Sequence, residues 1–115
     1  MPAGIYNFTC DQGATFERVI EITNYDDSIV DLSGKTGRMQ VRKDIESASA
    51  LIELTTENNR MTFDSNAGSI TLLISAADTA ALQFSGIYDL EVVSSDGTVD
   101  RVLQGIFDLD ENVTT

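Results

Sequence analysis

Apolar and polar residues alternate most regularly in segment 86–107, GIYDLEVVSSDGTVDRVLQGIF. The apolar positions of its two runs share one face: Tyr88, Leu90, Val92, Leu103, Gly105, Phe107 and Leu109. Val102 and Ile106 fall on the opposite face. Asp96-Gly97 separates the two runs, and this dipeptide favours a type I′ turn. The pattern therefore predicts an antiparallel hairpin with one face in a core and the other in water.

Shorter alternating runs precede this hairpin and are separated by turn residues. They predict strands over residues 5–9, 14–23, 36–42, 51–55, 60–63 and 69–75. Ser75 can cap a short helix over 76–82, with Asp78 near its positive end. A helix of this length holds only by docking Ala80 or Leu82 on the sheets. About eight strands without βαβ alternation predict an all-β fold, a single antiparallel β-sandwich, with a small barrel as the alternative.

The chain of 115 residues has the size of one domain, so we predict a single sandwich over 1–115. No apolar run approaches the ~20 residues that span a bilayer, and the first ten residues do not resemble a signal peptide. The acidic end, 108–115, is expected to fray, although Leu109 and Val113 could hold part of it.

The charge is strongly acidic, with 19 acidic and 7 basic residues, no His and a net charge of −12. Such a surface repels phosphates and anionic lipids, so we expect no nucleic-acid and no membrane partner. It favours neutral or basic protein partners. Most of the bases lie in the first half of the chain: Arg18, Lys35, Arg38, Arg42 and Lys43. This segregation indicates either a directional docking surface or only a solvated strand face.

The residue types offer little catalytic chemistry. Without His, neither a catalytic triad nor a Cys–His pair can form, and Cys10 is expected to be a small buried hydrophobe. The carboxylate pairs lie in turns or at outward strand positions, where their pKa values stay ordinary. Residues 64–68 match only the first half of a calcium loop, and a plain turn is preferred there. We therefore predict no enzyme, no cofactor and no metal.

Several segments, in this order, resemble small virion proteins of tailed bacteriophages: YNFTCDQGATFERVIEI, VDLSGKTGRMQVRKD, LIELTTENNRMTF, AGSITLLISAADTAAL and YDLEVVSSDGTVDRVLQGIF. The resemblance runs from Tyr6 to Leu109. It implies an immunoglobulin-like sandwich that serves as a non-enzymatic building block near the tail, baseplate or fibre attachment. One departure is Lys35-Thr36-Gly37, where an aromatic residue and Ala are usual, and this change would thin the core.

The resemblance also implies a location and partners. The chain would be made in the host cytoplasm, reside in the virion, and be multimeric there with other virion proteins as partners. The candidate contact residues are outward apolar and basic ones: Tyr25, Ile29, Ile45, Phe84, Arg38 and Arg42. The alternatives are a capsid decoration (cement) protein and a carbohydrate- or calcium-binding accessory module, and the absence of Trp disfavours a carbohydrate platform.

Overall fold

The computed structural model describes residues 4–23, 28, 30–47 and 49–111. The strands in these ranges are Gly4–Ile5 (β1), Phe8–Asp11 (β2), Phe16–Glu21 (β3), Thr36–Arg42 (β4), Ile52–Thr55 (β5), Met61–Asp64 (β6), Ser69–Ile74 (β7), Gly86–Val93 (β8) and Val99–Asp110 (β9). The helix is Ala76–Ala80 (α1). Among the described residues, no helix is long and apolar enough to cross a membrane.

The strands form two separate sheets, which confirms the predicted sandwich over the barrel. The larger sheet has the order β1-β9-β8-β4-β5, with β2 also on β9, and the smaller sheet has the order β3-β7-β6. Most neighbours are antiparallel as predicted, but β1 and β2 pair with β9 in parallel. The antiparallel expectation therefore fails at this edge. Alternation shows which face a strand buries, and it carries no information on the direction of its neighbour.

The core lies between the two sheets and contains the predicted inward positions. The larger sheet contributes Phe8, Cys10, Met39, Val41, Ile52, Leu54, Tyr88, Leu90, Val92, Phe107 and Leu109. The smaller sheet and the connections contribute Phe16, Ile22, Leu32, Met61, Ile70, Leu72, Ile74 and Leu82. Because full burial of one large apolar side chain stabilises a fold by about 1.5–3 kcal/mol, this core is the main source of stability.

The core is not thinned at Gly37, contrary to the expectation for residues 35–37. A Cβ atom added to Gly37 would overlap the Sδ atom of Met61 and the ring of Phe63. The two side chains reach across from β6 and fill the space that a larger residue on β4 would need. The expectation was wrong because it considered one strand, while the facing sheet supplies the missing volume.

Helix α1 begins as predicted, with the Ser75 hydroxyl accepting a hydrogen bond from the Asp78 N–H at 3.2 Å. It ends two residues earlier than predicted. Leu82 is buried as expected, but the main docking residue is Thr79. The Thr79 hydroxyl donates to the carbonyl oxygen of Ala14 at 2.7 Å, so a polar contact fixes the helix to the loop before β3.

The hairpin between β8 and β9 is present, but its turn is not type I′. Gly97 has a φ of 90°, whereas Asp96 keeps a negative φ. The Ser94 carbonyl accepts from the Gly97 N–H at 2.9 Å, and the Ser94 N–H donates to the Thr98 carbonyl at 2.8 Å. These bonds describe a three-residue loop, a type I turn followed by a left-handed glycine. The Asp96 carboxylate accepts a hydrogen bond from the Thr98 N–H at 2.9 Å, which stabilises the three-residue loop over the type I′ turn.

Strand β9 extends further than predicted. It continues through Asp110 and pairs there with β2, and Leu109 is buried. The first three residues of the predicted acidic tail therefore belong to the sheet, because Leu109 holds them against the core as the sequence allowed. Residues 112–115, with Val113, lie outside the described residues.

The N-terminal edge is attached to the hairpin around Gly105. Tyr6 lies between β1 and β2, and its carbonyl oxygen accepts from the Tyr88 hydroxyl at 2.5 Å. The Asn7 side-chain oxygen accepts from the Ile106 N–H at 2.9 Å, in place of a backbone acceptor. A Cβ atom added to Gly105 would overlap the Tyr6 carbonyl oxygen. Only glycine therefore permits this close approach of the two backbones.

We predict that Gly105→Ala destabilises the protein by about 1–3 kcal/mol, because the backbone at Tyr6 must move away. Urea unfolding of the two proteins measures the difference. Gly4→Ala is the matched control, since its added Cβ would lie 3.4 Å from Cδ2 of Leu103, an ordinary contact. Equal stability losses for both substitutions would contradict the prediction.

Candidate protein-contact face on the larger sheet

The outer face of the larger sheet, on the side away from the core, carries four cross-strand rows of side chains on β5, β4, β8 and β9. The valine row is Thr36, Val93 and Val99. The arginine row is Thr55, Arg38, Glu91 and Arg101. The amide row is Glu53, Gln40, Asp89 and Gln104. The isoleucine row is Arg42, Ile87 and Ile106. The amide row lies between the arginine and isoleucine rows, and the valine row follows the arginine row at the other end of the strands. Polar and charged groups therefore occupy the middle of the face, and apolar groups occupy its two ends.

The charges in these rows are connected across the strands. Arg38 donates through Nε to the Glu91 carboxylate at 2.7 Å, and Arg101 Nε lies 3.5 Å from Oδ2 of Asp89. Exposed pairs of this kind contribute only about 0–1 kcal/mol each, so they add little to the stability of the fold. The three arginines and the three acids balance: Arg38, Arg42, Arg101, Glu53, Asp89 and Glu91. The rows are therefore neutral on a chain whose net charge is −12.

A β-bulge in β9 places Arg101 on this face. Leu90 pairs with Leu103, but the next residue of β8, Glu91, pairs with Arg101 and leaves Val102 without a partner residue. The extra residue reverses the alternation, so Arg101 points outward, although its spacing from Leu103 alone would turn it inward. Val102 packs against the core together with Leu103, which corrects its predicted position on the opposite face.

Exposed isoleucines lie at one end of the outer face. Ile87 and Ile106 are 40% and 51% exposed and sit opposite each other on β8 and β9. Ile45, in the loop after β4, is 85% exposed and borders with Ile87 a shallow depression of about 420 Å³. Contiguous exposed apolar side chains with a polar rim are typical of protein-contact surfaces.

The outer face of the smaller sheet has a different character. Its outward strand positions carry Glu17, Glu21 and Asp64 and no basic residue. Val19 and Leu73 are exposed among them. The two faces of the sandwich therefore differ in charge, and only the larger sheet combines apolar groups with balanced charge.

Four of the six predicted contact residues are placed by the structure: Arg38, Arg42, Ile45 and Phe84. The two arginines lie in the rows and Ile45 borders them. Phe84 precedes β8 and is not part of the rows; the Lys43 Nζ lies 4.6 Å above its ring. Tyr25 and Ile29 fall outside the described residues.

Ile87 and Ile106 were not among the predicted contact residues, although the alternation placed Ile106 outward. The signal that could have identified them is a β-branched apolar side chain at a polar position of the pattern. Both belong to the solvent-facing side of the predicted hairpin, where two adjacent exposed isoleucines form an apolar patch.

Cys10 and the 64–68 loop, the candidates for catalysis and calcium binding, have ordinary structural roles. Cys10 is fully buried, as predicted, and burial, with a smaller effect of Asp11, raises the pKa of its thiol to about 11. The Asp64 carboxylate accepts from the Asn66 N–H at 3.0 Å, so loop 64–68 is the expected turn. No cluster of three or more Cys, Asp or Glu side chains suited to a metal ion occurs in the described part of the chain.

In the described part of the chain, each carboxyl group whose pKa departs clearly from its ordinary value has a lowered pKa. The pKa of Asp78 is lowered by hydrogen bonds from Arg60 and Ser75. Those of Asp31 and Asp96 are lowered by bonds from residues two positions further on. A general acid needs the opposite displacement, so these groups serve as caps and turn acceptors.

No protein-family model matches this chain, and no curated protein matches it. Among solved structures 247 chains match, a number so large that the fold alone does not indicate a function. One of them is a parallel homodimer of the extracellular domains of the voltage-gated sodium channel beta4 subunit, described as explaining a role in cell–cell adhesion. Identity is 12% over 98% of both chains, with a TM-score of 0.52. This likeness confirms the immunoglobulin-like sandwich.

We predict that the Cys10 thiol in the native protein reacts with the thiol reagent DTNB at pH 8 about 100-fold or more slowly than in the unfolded chain. The thiolate is the reactive form, and the raised pKa leaves very little of it at this pH. Absorbance of the released product measures the rate. The same protein in concentrated urea is the control, and rapid labelling of the native protein would show that Cys10 is accessible and ionised.

Proposed function

We propose that this chain is a non-enzymatic structural protein of a tailed-phage virion, an assembly module of the tail, baseplate or fibre-attachment region. The observation that carries the proposal is the outer face of the larger sheet, where exposed isoleucines adjoin neutral rows on an otherwise acidic molecule. The resemblance to small phage virion proteins, from Tyr6 to Leu109, supports the choice of particle. In this function the chain is made in the host cytoplasm and becomes part of the virion.

The geometry of the face favours a protein partner over a small ligand. Its depression is shallow, and the charged groups that border it already have partners within the chain. Glu91 and Asp89 are paired with Arg38 and Arg101, and Arg42 donates to the Gln40 side chain and the Ser47 carbonyl. A small-molecule site instead encloses most of its ligand and directs a few unpaired polar groups at it. A flat face that combines exposed apolar side chains with paired polar groups is instead suited to contact with another protein surface.

The rigidity of the sandwich suits an assembly role. The outward side chains project from paired strands whose inward neighbours are fully buried, so the face is preorganised and little ordering entropy is lost on docking. A capsid decoration protein needs the same property, and its position in the particle is what distinguishes the two functions. Many identical copies on a shell would each need only a modest contact area.

We predict that the chain is present in purified particles of the phage that encodes it, in a few to a few dozen copies per particle. Quantitative mass spectrometry against the major capsid protein gives the number, because a tail or baseplate ring has few positions. Hundreds of copies would assign the chain to the shell as a decoration protein. Particles that lack it altogether would refute the virion function.

We predict that Ile106→Asp greatly reduces incorporation into particles, because it puts a charge into the isoleucine row, beside Ile87. Particles grown with the variant as the only copy are assayed by mass spectrometry. Val19→Asp is the matched control, since Val19 is also an exposed strand residue but lies on the smaller sheet. Normal incorporation of the Ile106 variant would show that another surface makes the contact.

A further inference from the structure

We propose that the outer face of the larger sheet binds a second copy of this chain, related to the first by a two-fold axis parallel to the strands, between β4 and β8. The proposal rests on the proposed function in that it uses the same face. It adds the identity of the partner and the geometry of the pair, which follow from the strand register.

A rotation about this axis puts β4 of one copy opposite β8 of the other, and β5 opposite β9. Each row keeps its position along the strands, so it faces the same row of the second copy. In the arginine row, Arg38 of one copy then faces Glu91 of the other, and the same contact forms twice. Within one copy Arg38 bonds Glu91 through Nε only. A guanidinium has further N–H groups, so Arg38 can bond both carboxylates at once.

The amide row is equally complementary in this arrangement. Gln40 faces Asp89 of the second copy, and Glu53 faces Gln104. Each acid in the row therefore meets an amide, which can donate a hydrogen bond, and does not meet another acid. The register of four strands thus produces self-complementarity in two successive rows.

The isoleucine row stays at the same end of both copies, because the rotation does not change heights along the strands. Ile87 of each copy faces Arg42 of the other, and Ile87, Ile106 and the neighbouring Ile45 of both copies lie at the same end of the interface. Their burial removes the apolar surface that each copy exposes when it is alone.

The other simple two-fold arrangement is unfavourable. An axis perpendicular to the strands through the amide row would place Arg38 opposite Arg42. It would also place Asp89 opposite Asp89 of the second copy, and Glu53 opposite Glu53. Like charges facing each other across an interface cost several kcal/mol, so the charge pattern selects the parallel arrangement.

The remaining surface directs self-association to this face. The chain has a net charge of −12 and the rows are neutral, so two copies repel each other through their other surfaces. On the smaller sheet, for example, Glu17, Glu21 and Asp64 all carry negative charge, so two such faces repel each other. The outer face of the larger sheet is where two copies can approach without this repulsion.

The size of the face indicates a weak dimer. Four strands about 4.8 Å apart and the arginine, amide and isoleucine rows over about 20 Å give roughly 400–500 Å² per copy. The total of about 800–1,000 Å² lies at or just below the lower limit for specific interfaces. Dimerisation in dilute solution is therefore incomplete, and the high local concentration in a particle completes it.

Sedimentation equilibrium of the full chain, at concentrations up to about 1 mM because the interface is small, tests the proposal. We expect a reversible monomer–dimer equilibrium for the wild-type chain. Arg38→Glu and Glu91→Arg should each abolish it, since each places like charges opposite one another twice. A 1:1 mixture of the two variants should dimerise again, because every contact between unlike copies then joins opposite charges.

Recovery of the dimer in the mixture distinguishes a contact between two copies from a purely intrachain role of the Arg38–Glu91 pair. The intrachain pair of Arg38 with Glu91 is broken in both variants, so a merely structural role would predict no recovery. The two variants also change the net charge in opposite directions, which excludes a general charge effect. Glu17→Arg, the control on the smaller sheet, should leave dimerisation in place. Circular dichroism confirms folding, and if either variant is unfolded, the double variant Arg38→Glu/Glu91→Arg replaces the mixture and must dimerise.

A wild-type chain that stays monomeric at all concentrations would overturn the proposal, and so would a mixture or double variant that does not associate. If such a monomer is nevertheless found in particles, the proposed function stands and the face has a different partner. A dimer in solution combined with absence from particles would refute the virion function and leave the self-association intact.

Discussion

The pairing of β8 with β9, including the bulge at Val102, is the constraint on which the rest of the molecule depends. It places Tyr88, Leu90 and Phe107 in the core and at the same time decides which side chains lie on the outer face. The bulge costs a local break in the ladder, and the burial of Val102 beside Leu103 offsets it. One backbone irregularity therefore decides both the packing of Val102 and the outward position of Arg101.

The N-terminal segment completes the sheet through polar contacts at a single crossing point. Gly105 lets the Tyr6 carbonyl approach, the Tyr88 hydroxyl donates to it, and Asn7 replaces a backbone acceptor. These bonds cover the free edge of β9, which would otherwise offer unpaired backbone groups to another chain.

Core and face are independent in their energetics, which suits a module that acts by fitting against neighbours. The core holds the large apolar side chains and the buried Cys10, and its stability does not rely on the exposed ion pairs. The arginine and amide rows can therefore carry a recognition pattern at little cost to folding. The same separation makes charge reversal at Arg38 or Glu91 an informative experiment rather than a disruptive one.

The amino-acid sequence by itself determined the strands, the inward positions from Phe16 to Leu109, the Ser75 cap and the burial of Cys10, because alternation and capping are local properties of the chain. Tertiary structure alone decided the parallel pairing of β1 and β2, the filling of space at Gly37, and the outward position of Arg101. Each of these depends on a residue from a distant strand: Gly105, Met61 and Leu90. The contact face belongs to this second group, since its charge balance exists only when four strands lie in register.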